Sequence, residues 1–367
     1  MQGTSPGIRI RRETTVFKQE KTLDFATLFL AFFDDEELFF LLHDINEAKQ
    51  NTFLKRNKKL FNAVKYFFEN GGQRLYVLNF STTKKLNYTL VHPFLQDYCD
   101  TLSDLETICS VGLIDGLLSE DKISLDEALK VLYSVNSYAS QTDRISISDI
   151  NETIKDNFLD RLDETVIYYP WFLGENGESF PPSIIASALA SKLAFEGKFF
   201  HSIANKEIYR AQALTQTLSK LQIEELNKED INPIIDVHTK GLRIWGVKAF
   251  NSKYESVNEM RVLKYVKRSL KRISRPYLFE ANTEQLHDRL YTKIYHFLYL
   301  LWESGALSGA NQEDAFRVGS SNQDLDAERN SLVFEILIAI SRPLEFIVIT
   351  LNRIENNGAQ ESLSLES

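Results

Sequence analysis

The sequence predicts an α/β protein: a mixed-sheet α/β body, then a smaller α+β C-terminal subdomain, with extended arms at both ends. Three observations carry this. Short, nearly continuous apolar runs, suited to strands buried on both faces, alternate with amphipathic stretches of helical period. The longest of these runs, Phe25 to Phe33, Ile294 to Trp302 and Leu332 to Ile340, fall far short of the ~18 to 20 residues that span a bilayer. Extended, partly alternating sequence at Ile8, Ile10 and Val16, and again at Phe346, Val348 and Thr350, stands beside a body already complete in strand and helix signals.

In chain order, Thr4-Ser5-Pro6-Gly7 reads as a turn leading into the first arm. Phe25 to Phe33 is a buried strand, and the acidic run Asp34 to Glu37 after it is a solvated loop. Lys58 to Asn70 places Leu60, Phe61, Val64, Phe67 and Phe68 on one helical face and stops at Gly71-Gly72, a glycine cap. Arg74 to Phe80 alternates as a strand, and Thr107 to Leu113 is a short buried one. Ser124 and Glu127 form a capping box for a helix running to Tyr138. Thr165 to Tyr169 is the next strand, and Pro181-Pro182-Ser183 starts a helix because a first turn does not use the missing proline NH. Leu242 to Phe250 reads as a strand, Val257 to Ser274 and Thr283 to Glu303 as long helices, and Phe334 to Ala339 and Phe346 to Ile354 as final strands. The resulting division is an arm over 1–22, the body over 23–252, the C-terminal subdomain over 253–345, and a strand with a polar tail over 346–367.

The chain of 367 residues exceeds the size at which one core usually stops growing, in keeping with a body plus a subdomain. Its net charge of −9 argues against nucleic acid as the bulk partner. Cys99 and Cys109 fall at a helix end and in a strand, which suits a reducing compartment rather than a disulfide framework.

Familiar chemistry is not spelled out. Gly197-Lys198 is followed by Phe199 and lacks the upstream glycine of a phosphate loop. The six histidines form no HExxH pattern, and no Gly-x-Ser-x-Gly elbow occurs. The expectation is a non-enzyme with no catalytic set, cofactor or metal. One charged feature stands out. Arg261, Lys264, Lys267, Arg268, Lys271, Arg272 and Arg275 share one face of the Val257 to Ser274 helix, opposite Val262, Leu263, Val266, Leu270 and Ile273. That face is either a solvated surface or an electrostatic docking surface; nucleic acid is disfavoured because Tyr265 is its sole interleaved aromatic.

Read in order, several segments resemble the contractile tail sheath family, the sheaths of phage tails and of bacterial contractile injection machines. The similar segments are Thr4 to Ile10; Phe61 to Leu78 (FNAVKYFFENGGQRLYVL); Tyr168-Tyr169-Pro170-Trp171 with Pro181-Pro182-Ser183 and Ala204-Asn205; Ile231-Asn232-Pro233 with Gly241 to Lys248 (GLRIWGVK); Asn258 to Leu263; Phe279 to Asn282; Leu301 to Gly309 (LWESGALSG) with Glu313, Ala315-Phe316 and Val318; and Arg342 to Ile347 (RPLEFI). Arg11-Arg12-Glu13 stands where the family carries an acidic pair, and Ser202-Ile203 replaces Ala-Pro.

The resemblance implies a homo-oligomer of stacked helical rings around an inner tube, associated with baseplate and cap proteins. It implies assembly in the bacterial cytoplasm, as part of a phage tail or injection particle, without nucleic acid or direct membrane insertion. The arms, through Ile8, Ile10, Val16, Phe346, Val348 and Thr350, would add strands to neighbouring subunits, and the basic face would dock the inner tube. Two other readings stand beside it: an α/β enzyme of unknown chemistry acting at the carboxyl ends of its strands, and an acidic scaffold docking a partner through the basic helix.

Overall fold

The run from Phe25 to Phe32 is apolar at almost every position because its strand carries a helical layer on each face. A computed structural model describes residues 25–352 apart from 84–85, 158–159, 161, 279, 282, 321–330 and 341–344, together with 365–366. Strand β1 (Ala26–Ala31) lies inside an eight-stranded sheet with β2 (Leu38–Leu42), β3 (Leu75–Asn79), β4 (Leu105–Val111), β5 (Ile145–Ser148) and β6 (Val166–Tyr169). Three short strands, β7 (Phe172–Leu173), β8 (Ser179–Phe180) and β9 (Ala213–Leu214), form a separate small sheet. The large sheet closes with β10 (Asn232–Val237) and β11 (Gly241–Ile244) in the order β11-β10-β6-β5-β4-β1-β3-β2. Pairings are parallel except for the two edges, where β2 runs antiparallel to β3 and β11 to β10.

Side chains of a strand alternate between faces, and β1 shows it: Phe25, Phe29 and Ala31 enter one buried cluster, Ala26, Leu28, Leu30 and Phe32 the other. The first face is covered by helices Lys58–Glu69, Pro182–Phe195, Val257–Ser274 and Glu284–Glu303, the second by Val91–Cys99 and Leu125–Gln141. Helix Pro182–Phe195 has no polar face. It is buried almost all round, and its Ala and Ser residues let it lie close under the strands.

Local signals behave as the chemistry dictates. Gly71 adopts φ +93°, and the Gly71 and Gly72 amides donate to Phe68 and Phe67 carbonyls at 3.0 Å each, satisfying orphan acceptors at the end of helix Lys58–Glu69. Ser124 Oγ accepts from the Glu127 amide while Glu127 Oε2 accepts from the Ser124 amide, completing the expected capping box. Cys99 and Cys109 are buried free thiols.

The strand expected over Leu242 to Phe250 ends early, at Ile244. The Asn232 side chain replaces a ladder there. Its Nδ2 donates to Ile167 and Lys248 carbonyls at 3.0 and 2.8 Å, and its Oδ1 accepts from the Lys248 amide at 2.6 Å. Gly246 passes so close that a Cβ would stand 2.5 Å from Asn232 Oδ1.

The C-terminal part is a four-stranded sheet, β12 (Phe316–Ser320), β13 (Ser331–Ile338), β14 (Glu345–Asn352) and β15 (Leu365–Glu366), in that order. Helix Glu284–Glu303 covers β12 and β13 through Ile294, Leu298, Phe316, Phe334 and Ile336, all of which share one buried cluster with Phe25 and Phe29 of the body.

Candidate functional site

Helix Val257–Ser274 starts at Ser256, whose hydroxyl accepts from the Glu259 amide at 3.2 Å, and it lies across the amino ends of β4 and β5. Its cationic face points inward. Arg261 is 3% exposed, and its Nε and Nη2 donate to the two carboxylate oxygens of Glu106, 1% exposed, at 3.0 and 2.8 Å. Nη2 also reaches the Ala190 carbonyl at 3.2 Å. Lys264, 2% exposed, donates to the Arg144 carbonyl at 2.9 Å; burial pulls its ammonium down to about 8 against the nearby Glu164 and Asp143. Lys267 is 7% exposed, and burial lowers it too. Arg268 donates to the Asp143 carbonyl, and Lys271 pairs with the Asp143 carboxylate at 2.9 Å.

This corrects the expectation of an exposed docking face. Arg261, Lys264 and Lys267 are buried, Arg268 and Lys271 are tied to Asp143, and Arg272 and Arg275 remain exposed at the helix end. The physical reason is that Glu106 and Asp143 wait on the body. A carboxylate buried in a strand between two helical layers requires a cation, and the helix supplies it. Glu106 and Asp143 are the residues the sequence reading missed. The available signal was Glu106 itself, a lone charge inside the otherwise uncharged strand of Leu105 to Val111.

The C-terminal strand finds a partner within the chain. Phe346, Val348 and Thr350 are paired within their own chain, opposite Leu337, Glu335 and Val333 of β13. Residues 339–344 alone separate the two strands, and so short a connection closes an antiparallel hairpin at small entropic cost. Ile8, Ile10 and Val16 lie outside the described residues.

At the opposite edge of the large sheet, past the carboxyl ends of β4, β5 and β6, lies a cleft of about 560 Å³. Tyr169 and Trp171 wall it, with Asp115, Glu152 and Glu178 around it. Trp171 Nε1 donates to the Ile150 carbonyl at 2.7 Å, and Tyr169 OH bonds Gln216 Oε1 at 2.6 Å and Glu152 Oε1 at 3.2 Å. Lys59 Nζ pairs with Asp115 Oδ2 at 2.9 Å. Close by, Asp149 is buried and accepts from Ser183 Oγ at 2.7 Å and from the Ser183 amide at 3.3 Å, which pins helix Pro182–Phe195 to the end of β5. Burial pushes the Asp149 carboxyl up to about 8, opposed by those Ser183 hydrogen bonds. The serine after the two prolines thus serves helix entry.

Among the described residues no group of three or more His, Cys, Asp or Glu is arranged to hold a metal ion, and no helix is long and apolar enough to cross a membrane. Of the polar groups around the cleft, Lys59 holds Asp115, Tyr169 holds Glu152 and Gln216, and Asn62 holds Glu178.

Residues 250–353 match the family described as phage tail sheath C-terminal domain. No curated protein matches the chain. Solved structures do. The helical sheath of the anti-feeding prophage in its contracted state is 19% identical, with a TM-score of 0.69 over 98% of this chain and 100% of that one. A chain of the anti-feeding prophage baseplate gives 18% identity and a TM-score of 0.72, again over 98% and 100%. A sheath tail protein of Listeria innocua gives 10% identity and a TM-score of 0.61 over 90% and 95%. The chain therefore has the fold of these contractile sheath proteins over nearly its whole length and carries the phage tail sheath C-terminal domain across residues 250–353.

Proposed function

We propose that this chain is a structural subunit of a contractile sheath. It polymerises as stacked helical rings around an inner tube, with a baseplate at one end, and shortens to drive the tube through a target envelope. The observation that supports this best is the full-length likeness to a sheath in its contracted state, joined to the sheath domain match at residues 250–353. The ion pairs of helix Val257–Ser274, buried at Arg261–Glu106 and partly exposed at Lys271–Asp143, support it further, because they fasten that domain to the body so that force on one is borne by the other. On this reading the chain is not an enzyme, and the particle is a phage tail or a related injection machine assembled in the bacterial cytoplasm. The N-terminal segment, through Ile8, Ile10 and Val16, adds a strand to a neighbouring subunit, satisfying backbone groups that an open sheet edge leaves free.

Electron microscopy of the purified full-length chain tests this. Long hollow cylinders are expected, and deletion of Met1 to Arg12 should leave a folded monomer that no longer makes them. Monodisperse wild-type protein at every concentration would overturn the reading.

A further inference from the structure

The two ends of the large sheet carry opposite charge in complementary form. At the carboxyl edge, the exposed Glu152 and Glu178 rim the aromatic-walled cleft, and the partners they have among the described residues are neutral, the Tyr169 hydroxyl and the Asn62 amide. At the amino edge, where Lys271 grips Asp143 two residues before β5, helix Val257–Ser274 ends in the exposed Arg272 and Arg275. Lys293 and Arg289 of helix Glu284–Glu303 add to this end. Both lie over the Tyr277 ring, at 5.0 and 5.7 Å, and Arg289 is already paired with Glu280. The two surfaces are separated by the length of the strands, about 20 Å at ~3.3 Å per residue.

We propose that the cleft rimmed by Glu152 and Glu178 is the docking site for the Arg272, Arg275 and Lys293 patch of a second copy of this chain. A guanidinium entering the cleft meets the carboxylates of Glu152 and Glu178 beside Trp171 and Tyr169, whose ring already lies 6.0 Å from Lys155 Nζ, so charge pairing at the rim is what holds it. The occupant is a second copy because both halves of the contact, opposite in charge, are on this chain at opposite ends of the sheet's strands. Such a contact is heterologous: each copy that docks leaves one cleft and one patch open, so addition continues into an open stack instead of a closed pair. The inference rests on the sheath reading for its purpose and names the surfaces that would do the stacking.

The experiment uses the full-length chain in three charge variants: Glu152→Lys with Glu178→Lys; Arg272→Glu with Arg275→Glu and Lys293→Glu; and all five together. All five positions are exposed, so thermal unfolding should match the wild type. Self-association is followed by sedimentation velocity across concentration at low and high salt. Each partial variant should associate about tenfold more weakly, ~1.4 kcal/mol. An equimolar mixture of the two, or the five-fold swapped chain, should recover association, because every contact again joins opposite charges. Wild-type association in the partial variants, or no recovery on mixing, would overturn the proposal. So would a patch variant that loses binding to inner tube alone, which would give the patch to the tube. Electron microscopy separates this from the sheath reading. Recovered association without cylinders keeps the contact and removes the sheath; cylinders that ignore all three variants do the reverse.

Discussion

Replacing Arg261 with methionine takes a guanidinium from between β4 and helix Pro182–Phe195 and leaves Glu106 in place, 1% exposed. Three hydrogen bonds are lost, two to the carboxylate and one to the Ala190 carbonyl. The larger effect is the stranded charge. Removing one partner of a buried pair costs about 3–5 kcal/mol, because the remaining ion keeps its desolvation penalty without its counter-charge. Arg261→Met should therefore lower the unfolding free energy by that amount, seen as a lower urea midpoint at unchanged slope and followed by tryptophan fluorescence. Glu106→Leu alone should cost a similar amount. The double variant should recover to within about 1 kcal/mol of wild type, since an apolar pair fits beside Phe25, whose ring lies 5.8 Å from the guanidinium. A loss below about 1 kcal/mol for Arg261→Met, or a double variant that loses the sum of the two singles, would refute the argument that this pair is a charge matched to a charge.

Three further outcomes are expected. Asp149, raised to about 8 in the fold against about 3.9 unfolded, binds its proton more tightly when native, so stability should fall as pH rises from about 4 to about 8 and then level off. Asp149→Asn should flatten that decline in thermal midpoints, and an identical decline would count against the assignment. Lys264, lowered to about 8 against about 10.4 unfolded, has the opposite sign: stability should rise between those values, and Lys264→Met should remove the rise in the same melts while costing less than Arg261→Met. Gly246→Ala should destabilise by about 1–3 kcal/mol, because its Cβ would meet Asn232 at 2.5 Å; an unchanged unfolding curve would show that the Asn232 clamp yields freely.

The sequence alone determined much of the local structure. The strand at Phe25 to Phe33, the glycine stop after Asn70, the Ser124–Glu127 box and the proline entry at Pro182 all depend on neighbours within a few residues, so period, caps and turn chemistry suffice to read them. The resemblance to sheath proteins was legible for a different reason: many short segments recur in one order along the chain, and no folded contact is needed to read that order.

Tertiary structure decided which surfaces are free. A helical wheel separates Arg261, Lys264 and Lys267 from the apolar side of their helix, but it cannot know that Glu106 and Asp143, more than a hundred residues earlier, come to lie beneath them. Nor could an alternating strand at Phe346 to Thr350 declare β13 of its own chain as a partner, which a connection of only a few residues brings alongside it. Burial of a charge depends on what the rest of the chain brings to it, and that is a property of the folded body rather than of any window of sequence.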